Sequence, residues 1–413
     1  MCFGSALHKS VPGTAQPDAI SPLDAASLGR NSTAVYAELE KTFADILDLD
    51  VAVRHENYTD FGEVTNFKAA GRLDLTGGFA LRASYGTGFR APALAQEGFT
   101  STISTFVNSQ QAFTKFVAAG SALGNVVGAP ALKPEAANNV SFGLVYGGTH
   151  LTASVDLYQI KLKHRIVYSS TFASTALTNY LAGKGFGNIK SVAFETNAAD
   201  TTTQGIDITG TYRYQTDNWG QLTATVAANF SDTEFDKIAG TPAQLLAQGI
   251  TTPILDMTEQ YRIAHATPRN KETLDLDWLF GDWEVDLTNT RYGSVAQVDF
   301  SSSSPAQIAS FGSGYDLRLL PIAGSANSQV VQYFQPDIIT DLSVGYQFND
   351  ALKFTLGASN LFDIYPDRQI ASTVKTVAAG TNGGDNAGIF PYSYLAPYGT
   401  VGRFVYLRAG YSL

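Results

Sequence analysis

The sequence predicts an all-β chain, built as an antiparallel transmembrane β-barrel sheet. Three observations carry that expectation. Apolar and polar residues alternate with period 2 in thirteen segments, and each is about 10 residues long, enough for a tilted strand to span a bilayer. The connections alternate between turns of a few residues and loops of tens of residues. Aromatic residues crowd the short turns: Phe43, Phe79, Tyr146, Tyr214, Trp219, Phe280, Trp283 and Phe348. Tight turns at one end, long loops at the other and aromatic girdles at the interfaces are the pattern of strands that cross a membrane.

Residues 1–31 are rich in Ser, Pro, Ala and Gly without any period, and read as irregular loop. Alternation then begins, because successive side chains of a strand point to opposite faces. Val35, Ala37, Leu39 and Phe43 oppose Tyr36, Glu38, Glu40 and Thr42. After a turn at Ala44–Asp45, Leu47, Leu49, Val51 and Val53 share a face, and so do Phe67, Ala69, Leu73 and Leu75. Gly77-Gly78 turns the chain into Phe79, Leu81, Ala83 and Tyr85. The segment 86–134 reads as a long loop. Val140, Phe142, Leu144 and Tyr146 resume the pattern, and a Gly147-Gly148 turn leads to Leu151, Ala153, Val155 and Leu157. A second loop covers 169–203. Ile206, Ile208, Tyr212 and Tyr214 meet a turn at Asp217-Asn218, followed by Leu222, Ala224, Val226, Ala228 and Phe230. A third loop runs to Asn270. Leu274, Leu276, Trp278 and Phe280 then turn at Gly281-Asp282 into Trp283, Val285 and Leu287. A fourth loop, 294–335, leads to the clearest hairpin of the chain. There Leu342, Val344, Tyr346 and Phe348 are followed, across Asn349-Asp350, by Leu352, Phe354, Leu356 and Ala358. Asn and Asp both tolerate the left-handed backbone that a tight hairpin uses. The last loop, 365–397, precedes a terminal strand with Val405, Leu407, Ala409, Tyr411 and Leu413 on one face.

A soluble β-sandwich would have loops of similar length at both ends. It would not set Asp207, Arg213, Asp275, Asp277, Glu284, Asp286 and Asp341 on one continuous polar face. The formal net charge of −10 excludes nucleic acid as a partner, since phosphate binding needs a basic face. The single Cys2 excludes an intrachain disulfide framework and a CxxC metal site. Residues 116–132 are uncharged, but their three Gly, Asn, Ser and Pro make them loop rather than a spanning helix. The first 30 residues lack the apolar and basic regions of a signal peptide, and a lipoprotein anchor at Cys2 is not expected.

No catalytic signature is present, so an enzyme is not expected. His8, His55, His150, His164 and His265 are scattered, without HExxH or paired metal spacing, and there is no GxSxG elbow. GTGFRA at 86–91 lacks the third glycine of a dinucleotide fingerprint, and no cofactor is expected. Arg90 is a candidate ligand contact, although the favoured reading is that it caps the outer end of its strand, with Pro92 stopping the ladder for want of an N–H. Asp48/Asp50 and Asp275/Asp277, spaced i and i+2, share the polar wall rather than forming acid–base pairs. The remaining ligand candidates are the loop aromatics Phe390, Tyr392, Tyr394 and Tyr398, beside the Gly-rich run TNGGDNAG. Their ring faces with polar tips suit a flat, ring-bearing ligand or a sugar, and suit an interfacial girdle as well. Residues 381–388 lack full calcium-loop spacing, so no metal is assigned.

LRASYGTGFRAPAL at 81–94 resembles the stretch of TonB-dependent outer-membrane receptors where a strand leaves the membrane for an external loop. LKPEAANNVSFGLVY (132–146), TPRNKETLDLDW (267–278), GASNLFDIYP (357–366) and the aromatic-rich terminal strand are similar in the same order. The resemblance covers 32–413 and implies a partial receptor barrel embedded in outer-membrane lipid of a Gram-negative bacterium. It implies uptake of a scarce nutrient, a ferric siderophore first, with cobalamin or oligosaccharide behind. It also implies a plug domain through which TonB supplies energy, and neither plug nor TonB-binding box is recognised here. The family barrel belongs to the 22-stranded, plugged-lumen class, so the thirteen segments correspond to its C-terminal portion. The chain ends in Leu413 where the family usually ends in Phe, while Tyr411 keeps an aromatic for the barrel-insertion machinery. A passive porin and a non-functional truncated remnant are the rival readings. Thirteen up-and-down strands leave the first and last running in the same direction. The sheet is therefore expected to stay open, with bare edges near 35–43 and 401–413 that favour aggregation.

Overall fold

The computed structural model describes residue 24 and residues 27–107, 110–311, 313–322, 324–370 and 392–412. The chain begins with strands β1 (Ser32–Phe43), β2 (Leu47–Tyr58), β3 (Gly62–Asp74) and β4 (Phe79–Arg90). The first long loop carries helix α1 (Leu94–Gly98), strands β5 (Ser101–Val107) and β6 (Gln110–Val117) and helix α2 (Ala122–Val127). Next come β7 (Glu135–Gly147), β8 (Leu151–Tyr168), the short β9 (Phe172–Ala173), α3 (Thr175–Gly183), β10 (Ile189–Thr216) and β11 (Gly220–Ile238). α4 (Ala243–Leu246) and α5 (Met257–Ala264) precede β12 (Asn270–Phe280) and β13 (Trp283–Tyr292). The following loop holds β14 (Val295–Ser303), α6 (Pro305–Ala309), β15 (Asp316–Pro321) and β16 (Ser328–Phe334). The chain closes on β17 (Asp337–Asn349), β18 (Leu352–Ser359) and β19 (Phe404–Tyr411).

The main sheet is an antiparallel meander in the order β1-β2-β3-β4-β7-β8-β10-β11-β12-β13-β17-β18-β19. These thirteen strands are the thirteen alternating segments of the sequence. Among the described residues β1 pairs with β2 alone and β19 with β18 alone, so the sheet they form is open. Every residue of β1 is exposed.

The register sorts the two faces as the alternation requires. Val285, Val344 and Leu356 lie in one cross-strand row, and Asp286, Ser343 and Gly357 in the next. The polar face is laced with cross-strand bonds. Arg82 donates from Nε to Asp156 at 2.7 Å and pairs with it through a second nitrogen; Lys68 pairs with Asp50; Arg291 lies 3.0 Å from Glu272. Asn229 donates to Asp207 at 2.6 Å. Gly143 is small for a reason: a Cβ there would overlap the Asp156 carboxylate. At the turn end, aromatic rings meet in pairs, Phe79 with Tyr146 at 4.8 Å and Trp283 with Tyr346 at 4.7 Å between centroids.

Two turns show different physics. Ala44 and Asp45 both take positive φ, 51° and 56°, the pair that fits the twist of a hairpin. The expectation of a left-handed turn at Asn349-Asp350 is corrected, because neither residue has positive φ. There the Asn349 Oδ1 accepts hydrogen bonds from the N–H groups of Ala351 and Leu352, at 3.0 and 2.9 Å. A side chain stands in for the backbone turn.

The loops are more ordered than their sequences suggest. β8, β10 and β11 run 18, 28 and 19 residues, well past the spanning portion. Their outer ends, with α2, α3, α4, β6 and β9, enclose a core of Val117, Leu123, Val127, Phe172, Leu177, Leu181, Val192, Phe194, Leu245 and Leu255. The segment 294–335, expected to be loop, forms a three-stranded sheet in the order β14-β16-β15. Among the described residues no helix is long and apolar enough to cross a membrane, a fact that says nothing of strands.

Candidate functional site

The loop end of the sheet is where unlike elements converge, and a bulge in β8 prepares it. His164 takes φ 57°, and the β8–β10 register shifts twice, around Ala199. A bulge re-aims the side chains beyond it. Past this point Val167 and Phe194 join the buried core, and Tyr168 stands directly opposite Glu195.

Arg90, at the end of β4, lies 2.6 Å from Glu135, whose other oxygen accepts from the N–H of Ile166 at 2.7 Å. The carboxylate thus ties three strands together. Arg165 makes no ion pair among the described residues, and its NH1 reaches Thr201 Oγ1 at 3.4 Å. Burial holds its guanidinium below the ordinary arginine range; Glu135 opposes that shift, and the charges of Arg90 and Arg262 add to it. Arg262 belongs to α5, which starts where the Asp256 carboxylate accepts from the Glu259 N–H at 2.9 Å. It pairs with Glu259 at 2.5 Å and lies 5.3 Å above the Tyr168 ring. Tyr168 packs edge-on against Phe116, and Phe116 against Phe99.

Glu195 is 6% exposed, and its Oε2 has no hydrogen-bond partner among the described residues. Burial raises its pKa above the usual carboxylate range, against hydrogen bonds from Gln96 and Tyr168 and the charge of Arg90. Gln96 is itself oriented, its Oε1 accepting from the Ala93 N–H at 3.0 Å. Three guanidinium groups, ring faces and a buried carboxyl therefore share one mouth. Guanidinium forks match carboxylate or phenolate oxygens, and ring faces accept cations and flat ligands.

The loop aromatics of the sequence divide. Tyr394 is 66% exposed, and its electrostatic influence reaches Arg262, so it borders this mouth. Tyr392 stacks on Tyr365 with centroids 6.0 Å apart, and its backbone bridges Arg368. The Tyr398 hydroxyl donates to the Asp337 carboxylate, its ring leans on Tyr292 at 5.6 Å, and burial drives its pKa upward. Phe390 lies outside the described residues, as do residues 381–388 and Leu413. Arg165, Tyr168, Glu195 and Arg262 were not singled out by the sequence. Nothing in its spacing marks the His164 bulge that assembles them. Among the described residues no cluster of His, Cys, Asp and Glu could hold a metal ion.

A meander of spanning length, polar on one face and apolar on the other, with short turns below and a loop mouth above, defines an outer-membrane type of barrel wall. The family model described as TonB dependent receptor-like, beta-barrel matches residues 5–361, and the chain belongs to that family. Among solved structures it resembles the ferric enterobactin receptor of Pseudomonas aeruginosa, at 18% identity and a TM-score of 0.55, covering 93% of this chain and 45% of that one. The siderophore receptor PirA of Acinetobacter baumannii is similar at 15% identity and a TM-score of 0.56, covering 93% and 46%. The copper transporter OprC is similar at 14% identity and a TM-score of 0.54, covering 93% and 48%. The chain thus spans about half the length of these structures. No curated protein matches it.

Proposed function

We propose that the chain is the wall and external mouth of an outer-membrane receptor of a Gram-negative bacterium, which takes up a ferric siderophore. The observation that carries this reading is the Arg90, Arg165 and Arg262 cluster beside Tyr168 and Tyr394, in which Arg165 has no carboxylate partner among the described residues. An anionic, ring-bearing chelate satisfies both the surplus charge and the ring faces. A neutral oligosaccharide would leave the Arg165 guanidinium unmatched. Transport receptors for siderophores and a copper transporter share the fold, which supports nutrient uptake. A plug domain working through TonB supplies the energy, outer-membrane lipid surrounds the apolar face, and barrel-insertion machinery places the strands. The chain itself has no catalytic role.

The test is ferric enterobactin binding and uptake by the chain completed with a plug and the remaining strands. Saturable uptake that stops with an uncoupler is expected. Replacing Arg165 by Met removes a half-buried charge facing the ligand, at a cost of roughly 2 kcal/mol, or about thirtyfold in Kd. Unsaturable passage that ignores the uncoupler would make the protein a passive porin.

A further inference from the structure

We propose that Asn197, Asp200 and Glu135 are positioning residues, which hold the backbone on both sides of Arg165 and so aim its guanidinium at an anionic cargo. The cargo is that of the siderophore reading, on which this inference rests.

The need for them arises in the β8–β10 ladder. Asn197 stands opposite Ile166 and Ala199 opposite Arg165, but the next pair is Thr201 with Leu162. Ala198 and Asp200 on one strand, and Lys163 and His164 on the other, are passed over. A residue left out of its ladder has an N–H and a C=O to satisfy elsewhere. His164 is also held in the left-handed region, at φ 57°. A non-glycine residue stays there only when its surroundings fix it.

Side chains fix this one. The His164 N–H donates to Asp200 Oδ1 at 2.8 Å, and the His164 carbonyl accepts from Asn197 Nδ2 at 2.6 Å. Immediately after Arg165, the Ile166 N–H donates to Glu135 Oε1 at 2.7 Å. Both peptide groups that flank Arg165 therefore end on side chains, Asn197 for one and Glu135 for the other. Asp200 holds the peptide group before them.

Two of the three are themselves anchored. Asn197 pairs with both backbone groups of Lys133, accepting from its N–H at 2.8 Å and donating to its carbonyl at 2.9 Å. Glu135 is 3% exposed and takes the Arg90 Nε on its second oxygen at 2.6 Å. Lys133 and Glu135 lie where the first long loop enters β7, so β7, β8 and β10 meet on the peptides of one arginine. An arginine side chain has many rotamers, and a fixed root limits where its fork can reach. Here the fork comes to the buried Thr201. Glu135 turns its oxygens to Ile166 and Arg90, and Asp200 turns one to His164, which leaves the Arg165 charge for a cargo.

The experiment is a double-mutant cycle on the receptor completed as above, read by ferric enterobactin binding. Asn197→Ala should weaken binding about tenfold when Arg165 is present and less than about twofold in the Arg165→Met background, because the two changes act through one group. Equal losses in both backgrounds would overturn the proposal, since Asn197 would then support only the fold. Asp200→Asn keeps an acceptor for the His164 N–H, so it should recover most of the affinity that Asp200→Ala loses. Equal losses from those two variants would also overturn it. A second arm uses the same receptor without siderophore. Phenylglyoxal modifies arginine side chains, and peptide mass spectrometry gives the rate at each site. Asn197→Ala should quicken modification of Arg165 severalfold and leave the rate at Arg262 as it was. An unchanged rate at Arg165, or an equal rise at Arg262, would overturn the proposal. If the expected pattern appears but ferric enterobactin does not bind, the siderophore reading falls and the positioning of Arg165 stands.

Discussion

An arginine placed on either face of β17 gives opposite results one residue apart. Val344 lies between Val285 and Leu356 in an apolar row, and Leu356 is 57% exposed. Ser343 lies between Asp286 and Gly357, with Asp277 one strand beyond Asp286. Near the middle of the bilayer a lipid-facing Arg costs roughly 2–4 kcal/mol. At about 1.4 kcal/mol per tenfold, Val344→Arg lowers the folding equilibrium by a factor of roughly 30 to 700. Ser343→Arg instead meets solvated carboxylates, and its effect stays within about 1 kcal/mol. Both variants would be reconstituted into lipid vesicles, titrated with urea and scored for folded yield on unheated gels. Equal losses, or a larger loss for Ser343→Arg, would refute the assignment of faces.

Gly143→Ala drives a methyl into the Asp156 carboxylate and disturbs its bond to Arg82, at a cost of about 1–3 kcal/mol in the same titration. Gly147→Ala meets nothing within 4 Å and should change stability by less than about 0.5 kcal/mol. Glu195 has a raised pKa, so the folded state holds its proton more tightly than the unfolded state. Its ionisation therefore weakens the fold as pH rises through and above the ordinary carboxylate range. Hydrogen-exchange protection of the outer ends of β8 and β10 should fall over that window in the native chain and stay level in Glu195→Gln. Identical profiles would contradict this.

The spanning strands were legible because each has a single environment on each side. One face needs apolar residues and the other polar ones, so Leu342 to Phe348 and Leu352 to Ala358 announce themselves by period alone. The loop strands β14, β15 and β16 face no such division. Val330 and Val331 are both fully buried although they are neighbours, which erases the alternation. The outer half of β10 was hidden for another reason. Its register shifts near Asn197 and Ala199 break the parity that a reader of periods depends on. The site was less legible still. Pro92 marked Arg90 as the end of its strand, and the structure gives it Glu135 as a partner 45 residues away. Arg165 and Arg262 come together only through a positive φ at a histidine and the packing of a short helix, and neither leaves a mark on spacing.

The buried core at the loop end has a mechanical consequence. Its residues come from three connections and a strand, with Val117 and Val127 from the first connection, Phe172 and Leu181 from the second, Leu245 from the segment after β11 and Phe194 from β10. Lifting any one of these segments exposes apolar surface that the others cover, at a free-energy cost that grows with the area uncovered. The rim therefore yields as one body rather than finger by finger. The ladder of β8 and β10, which carries Arg165 and Tyr168, joins this rim to the wall.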